Sequence, residues 1–555
     1  MSVEAVLQEV DRLVDAFVQR EPVPGVAYGV LVDGRLIHTR GVGTVRVGED
    51  TAPTANTIFR IASMTKSFTA ATVLQLRDEG LLRLDDPAPS HLPELHAGPP
   101  ITLRQLLTMS AGFPSDDPWG DRQQDMDLGL FAEFLRGGQA FAWTTGTEFE
   151  YSNLGYGILG RVITNVTGLE YRDAVRSRFL QPMGMTSTAY DVAELPTEHL
   201  ATGYVRRDDA FIEEPFAGYG ALASMGGLFS SVRDISAWVD GFARAFGARE
   251  PDADHPLSLA SRLEMQQAQR TIAPELRWTS IDTLPTAIVS GYGFGLFVRA
   301  DLELGKVVAH SGGYPGFGSH MRWHPASGVG VVVLGNRTYF PAADIGEQMV
   351  RALVRGHVAP VRRIAPAAPT EAARDAIERL LASWDDDLAT RTFSMNVDLD
   401  EPIDRRRALI DRLRERHGTL RRSDEAPTCD SPFQLAWWLE GERGRVHVEI
   451  TLDPQPTPKV QYLELTSVPE PDPRVRGAVE RLVASVDDDA IEGDLLLVRT
   501  LFGSCRLARA VAGDTTSATF RVTAECGELD LAVTIDAETG RLLTVKWTPC
   551  PIGRS

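Results

Sequence analysis

The sequence predicts a mixed α/β (α+β) unit followed by a duplicated small α+β domain. Three observations carry this. Helix and strand signals alternate through the first 355 residues, with strands at both ends and helices between, so one sheet draws on both ends of that unit. The proline- and alanine-rich stretch Val358–Ala373 then reads as a semi-rigid linker. After it, AIERLLASWDDD at 376–387 returns as AVERLVASVDDD at 478–489, identical at nine of twelve positions. The expected domains are 1–358, a linker at 359–373, and repeat domains at 374–470 and 471–555.

The elements follow in chain order. Val6, Leu7, Val10, Leu13, Val14, Phe17 and Val18 recur at helical spacing among charged residues. That is an amphipathic helix, not the apolar run of a signal peptide. Gly25–Asp33 and Leu36–Gly41 read as strands joined by an Asp33-Gly34 hairpin turn. Ser63–Asp78 reads as a helix closed by Gly80, with further helices at Asn153–Val166 and Asp234–Ala245. Strand patterns return at Tyr292–Ala300, Lys306–His310 and Gly328–Leu334. In the repeats, Gly444–Pro454 parallels Gly527–Ala537, and each is followed by a strand, Val460–Val468 or Leu542–Thr548. Trp437 and Trp438 are strand neighbours, so one faces away from its own unit's core and marks a docking surface. The repeat domains could cap a cleft, mediate homo-oligomerisation or bind a partner.

Composition narrows the function classes. Apolar residues make up 43% and charged residues 24%, as in folded globular proteins. The net charge, 56 basic against 76 acidic side chains, is −20, which repels phosphate backbones and argues against nucleic acid as a partner. No apolar run is long enough to span a membrane, and a cytoplasmic protein is expected. The four cysteines form no C-x-x-C pair, so a zinc site is unsupported; no metal site and no cofactor are predicted. Cys505 and Cys526 flank strands that could pair, which leaves a disulfide and two thiols both open. The runs Asp385–Asp387 and Asp487–Asp489 could bind a cation but read rather as solvated helix ends.

Positive charge here is almost all arginine. The lysines are Lys66, Lys306, Lys459 and Lys546. Arginine cannot act as a base at neutral pH, whereas a buried lysine can lose its proton. Lys66 follows Ser63 by three positions at the start of an apolar helix, one turn away on the same face. A serine hydroxyl needs an adjacent base to become a nucleophile. Helix dipole and desolvation both disfavour an ammonium at that place, and the helix amides can stabilise an oxyanion. A plain N-cap serine would leave the isolated lysine unexplained.

Two more segments fit that chemistry. Tyr151-Ser152-Asn153 opens another helix; a tyrosine with its pKa lowered by a lysine can shuttle a proton, and an asparagine amide can hold a substrate carbonyl or a lysine. His310-Ser311-Gly312-Gly313 follows a strand; its glycines admit a substrate backbone, the Gly313 amide could be a second oxyanion donor, and His310 could donate to the substrate or leaving group. Taken singly, Tyr151 could be a core residue and His310 structural. The aromatic segments Phe141–Trp143 and Phe211–Tyr219 read as core contacts or pocket walls.

In this order, S-x-x-K, Y-x-N and H-x-G resemble the serine β-lactamase and penicillin-binding-protein superfamily. LLTMSAGFP at 106–114, SMGGLFSSVRD at 224–234 and HPASGVGVVVLGN at 324–336 add to the likeness, which covers about residues 5–355. The resemblance implies a two-lobed fold, an antiparallel sheet flanked by helices plus an all-helical lobe, with the site between. It implies Ser63 as acylated nucleophile, Lys66 and Tyr151 as general base and acid, and Asn153, His310, Gly312 and Gly313 as substrate-binding residues. The third motif carries histidine where much of the family has the lysine of K-T-G, which binds a carboxylate. That lowers the weight of β-lactamase and carboxypeptidase and favours a D-aminopeptidase-like hydrolase of short peptides or D-amino-acid amides. An esterase on the same scaffold is the alternative; a non-enzymatic binding protein would need an eroded motif.

Overall fold

A computed structural model of the chain describes residues 2–96, 98–246, 254–277, 286–301, 303–488, 493–513, 516–524, 527–539 and 541–550. The chain divides into two units, Met1–Val361 and Arg362–Ser555. Among the described residues no helix is long and apolar enough to cross a membrane.

The first unit begins with α1 (Val3–Arg20), whose apolar stripe buries Val6, Val10, Val14 and Phe17. Strands β1 (Gly25–Val32) and β2 (Arg35–Gly43) pair across Asp33 and Gly34, at φ 43° and 80°. Positive φ at both central residues is the geometry that matches the twist of a two-residue hairpin. Helices α2 (Thr65–Asp78), α3 (Asn153–Thr167) and α4 (Val232–Ala245) come next. The remaining strands are β3 (Arg270–Arg277), β4 (Thr286–Tyr292), β5 (Phe297–Asp301), β6 (Gly305–Tyr314), β7 (Phe317–His324) and β8 (Val329–Gly335), followed by α5 (Ala342–Arg355).

They form one antiparallel sheet in the order β2-β1-β8-β7-β6-β5-β4-β3. The sheet does draw on both ends of the unit: Tyr28 of β1 lies opposite Val333 of β8. Its centre is covered on both sides. On β7, Trp323 meets Phe242 of α4, while the alternate residue Arg322 reaches Glu347 of α5. Two covered faces explain why β7 and β8 are buried at every position.

One predicted strand divides. Tyr292–Ala300 is the end of β4, a tight turn and the start of β5. Gly295 turns at φ 68°, and a Cβ there would stand 2.6 Å from the Lys66 carbonyl oxygen. The hairpin tip thus presses on the backbone of α2, and only glycine allows that approach. Helix α2 is buried on nearly every side, with Phe68 stacked on Trp238 at 3.9 Å between ring centroids.

In the second unit the linker ends early: residues 368–373, drawn as linker, already belong to the helix Ala368–Ala382. Proline tolerated in a first helical turn accounts for this, because Pro369 needs no amide partner there. The two copies supply a five-stranded and a four-stranded antiparallel sheet. Asp385 starts a helix rather than ending one, its carboxylate accepting from the Leu388 amide at 2.8 Å. Cys526 lies outside the described residues.

Trp437 is buried in the core of the first copy. Trp438 points the other way and packs on the core of the second copy, with the Arg445 guanidinium 3.8 Å above its ring. The docking surface expected from an outward tryptophan is therefore occupied from within the unit, by the sister repeat.

Candidate active site

Ser63 sits in a single 3-10 turn, Ala62–Met64, that feeds directly into α2. Ala62, just before it, holds φ 47°, an uncommon conformation for a residue with a side chain. Ser63 is 8% exposed and opens onto a cavity of about 330 Å³, a size suited to a small acyl group.

Lys66 is completely buried one turn below. Its Nζ reaches Ser63 Oγ at 2.9 Å, donates to Asn153 Oδ1 at 2.7 Å and donates to the Met225 carbonyl at 2.8 Å. The two carbonyl-type oxygens accept only. Once the amine is neutral they occupy its two remaining N–H bonds, and the lone pair is left for the Ser63 hydroxyl. Burial lowers the Lys66 pKa to about 8, against the opposing fields of Asp117, Asp121 and Asp116. The direction is the one helix position and desolvation suggested. Met225, the third partner, comes from the 224–234 stretch, to which sequence reading assigned no chemistry.

Tyr151 shares the cavity wall with Ser63, whose hydroxyl favours the ionised phenol, and Lys66 Nζ lies 5.0 Å from its ring centre. Its pKa moves opposite to expectation. Burial, then the charge of Asp117, pushes the phenol well above its ordinary value, so it is a proton donor and not a ready phenolate. The start of α3 is held by a neighbour. Asp116 accepts from Ser152 Oγ at 3.2 Å and from the Asn153 and Leu154 amides at 2.7 and 2.8 Å, placing a carboxylate at a helix N-terminus. That fixes Asn153, behind the cavity wall, between Lys66 and Asp117.

His310 lines the cavity yet spends both ring nitrogens inside the protein. Nδ1 lies 2.6 Å from the Ser311 carbonyl, which can only accept, so Nδ1 carries the proton and Nε2 accepts from the Tyr292 hydroxyl at 3.2 Å. Burial, with Lys66 nearby, drives its pKa down to about 3, so the ring is neutral. Gly313 also faces the cavity, where a Cβ would come 2.6 Å from the Tyr339 ring. Gly312 lies behind it, and a Cβ there would strike the Ile61 carbonyl oxygen at 2.2 Å. Its absence lets β6 close against the turn that carries Ser63.

Several wall residues carried no signal in the sequence: Asp117, Phe297, Arg299, His320 and Tyr339; Ser311 lay inside the third motif without an assigned role. Ser311 is set by a relay. Arg322 Nε donates to His320 Nε2 at 3.2 Å, so His320 Nδ1 donates to Ser311 Oγ at 2.8 Å, leaving the Ser311 hydroxyl proton to serve as a donor elsewhere. Of the aromatic segments, Phe141 and Trp143 are walls of a separate cavity with Pro99 and Gln105, whereas Phe216 and Tyr219 make core contacts, Phe216 with Phe229 and Phe317.

The profile of the beta-lactamase family matches residues 10–355. Protein flp of Staphylococcus aureus (strain N315) is 27% identical over 342 residues, covering 59% of this chain and 63% of that protein, so the chain spans less than two thirds of this relative. A beta-lactamase of Escherichia coli (strain K12) is 26% identical over 362 residues, covering 62% of this chain and 93% of that enzyme. Among solved structures, the octameric penicillin-binding protein homologue from Pyrococcus abyssi aligns with 96% of each chain at a TM-score of 0.55 and 19% identity, a likeness of fold.

Proposed function

The chain belongs to the beta-lactamase family, whose wider superfamily consists of serine hydrolases, and from that premise we propose that it forms an acyl-enzyme on Ser63 and cleaves the amide bonds of short peptides or D-amino-acid amides. One observation carries the reading: a buried lysine, lowered to about 8, aimed at a serine hydroxyl by two fixed acceptors.

The steps follow from those contacts. Neutral Lys66 takes the Ser63 proton as Oγ attacks the carbonyl carbon. The Ser63 and Gly313 amides receive the oxyanion. The C–N bond breaks as Tyr151 gives its proton to the leaving amine and recovers one from the Lys66 ammonium. Water then attacks the acyl-enzyme, giving its proton to Lys66, and the acid leaves as Ser63 regains a proton. His310, neutral and tied to Ser311 and Tyr292, orients the β6 wall and offers no positive charge to a substrate carboxylate. This supports amide hydrolysis of the aminopeptidase kind over recognition of a C-terminal carboxylate.

The test is a paired rate assay with D-alanine p-nitroanilide and p-nitrophenyl butyrate. Ser63-dependent release of nitroaniline is expected. Ester cleavage alone would transfer the assignment to an esterase, and silence on both would end the hydrolase reading.

The base also predicts a pH profile. The neutral fraction of Lys66 rises through its pKa of about 8. With an uncharged ester, kcat/KM should therefore climb about tenfold per pH unit below that value and level off above it. A profile flat from pH 6 to 9 would remove Lys66 as the base.

The fold relative from Pyrococcus abyssi is an octamer. By analogy we extend the proposal to self-association through the C-terminal repeats, which light scattering on the purified chain tests; a monomer at all concentrations rejects it.

A further inference from the structure

The hydrolase reading leaves open which acyl groups the cavity takes, and the segment FPSDDPWGD at 113–121 bears on this. Two of its three carboxylates are internal. Asp116 is saturated by the three donors at the start of α3. Asp121 is 2% exposed and accepts from the Tyr339 hydroxyl at 2.8 Å. Asp117 is different: it is exposed and stands on the cavity wall with Ser63 and Tyr151. It accepts from Asn153 Nδ2, and the same amide's oxygen holds Lys66. Asp117 is thus one side-chain amide away from the base.

The arginines that line the cavity or face the 113–121 segment are committed elsewhere. Arg60 donates to Gln124 and the Ala217 carbonyl and lies between the rings of Phe229 and Tyr314. Arg122 pairs with Glu214, and Arg299 with Glu347 at 3.6 Å. The Lys66 ammonium remains as counter-charge, and the site loses it whenever Lys66 acts as a base. Asp117 is also the charge felt most strongly at both Lys66 and Tyr151.

Building on the hydrolase reading, we propose that Asp117 binds the protonated α-amino group of the residue that acylates Ser63, so that the substrates are amides or esters of amino acids and peptides with an unblocked N-terminus. The incoming ammonium replaces the positive charge that Lys66 gives up. It also offsets the field that keeps Lys66 protonated, so binding of the correct substrate helps to arm the base. An N-acylated substrate brings no such charge.

The experiment compares D-alanine p-nitroanilide with N-acetyl-D-alanine p-nitroanilide, on the full chain and on Asp117→Asn and Asp117→Glu. The unmodified chain should favour the free amine by about ten- to a hundredfold in kcat/KM, the range of a charge-assisted hydrogen bond. Asp117→Asn should bring that ratio to about one, and Asp117→Glu should restore part of it. A ratio unchanged in Asp117→Asn overturns the proposal while Ser63-dependent turnover keeps the hydrolase reading. Loss of both activities in the variant leaves the decision to the unmodified chain. There, KM for the free amine should rise above pH about 8 as the α-amine deprotonates, while KM for the acetylated substrate stays flat. A flat KM for both overturns the proposal, and absence of Ser63-dependent turnover on any anilide or ester overturns the hydrolase reading with it.

Discussion

Ser63→Ala is expected to lower kcat by about 10⁴- to 10⁶-fold, while the protein stays folded. The size follows from the kind of group removed: no other hydroxyl is held 2.9 Å from the Lys66 amine within the cavity described. Lys66 keeps two of its three partners in the variant, Asn153 and Met225, so the buried amine is not abandoned. A cooperative melt and an unchanged circular dichroism spectrum would show that only chemistry was lost. Parental turnover by Ser63→Ala would show that another group is acylated.

Lys66→Arg should be nearly as severe, with a loss on the order of 10³-fold or more. Arginine keeps the charge and can donate to the same oxygens, yet it does not deprotonate near pH 8. Stopped-flow acylation by a p-nitrophenyl ester from pH 6 to 10 separates the two roles of the lysine. The unmodified chain should show a rising limb and the variant none. Groups that act as a unit are not additive, so Ser63→Ala combined with Lys66→Arg should be no slower than Ser63→Ala alone. A variant that retains the limb would make Lys66 an electrostatic residue and assign the titration elsewhere.

Local pattern made much of this arrangement legible. The stripe of α1, the Asp33-Gly34 turn, the start of α2 and the internal repeat each depend on residues close in sequence. The Ser63 and Lys66 pair was legible for the same reason, since a helical turn fixes their separation. Asp117, Arg299 and Tyr339 were not, because they reach the cavity from unrelated turns and strands that only the folded chain brings together. Depth was invisible as well. Beside a lysine, Tyr151 suggested an acidified phenol, but desolvation and the charge of Asp117 outweigh that and drive it the other way. His310 looked available as a donor because a sequence does not show that both its nitrogens are spent. The strand expected at Tyr292–Ala300 failed on Gly295, whose close approach to α2 has no signature beyond the glycine itself.

The pairing of β1 with β8 also has a meaning for synthesis. The first hairpin leaves the ribosome early, yet its partner strand is made about 300 residues later. At about 5–20 residues per second, that is a delay of roughly 15–60 s during which one edge of β1 has no mate. The nascent amino-terminal segment must wait, shielded by α1 or by a chaperone, and the sheet closes only when the last strand of the unit emerges.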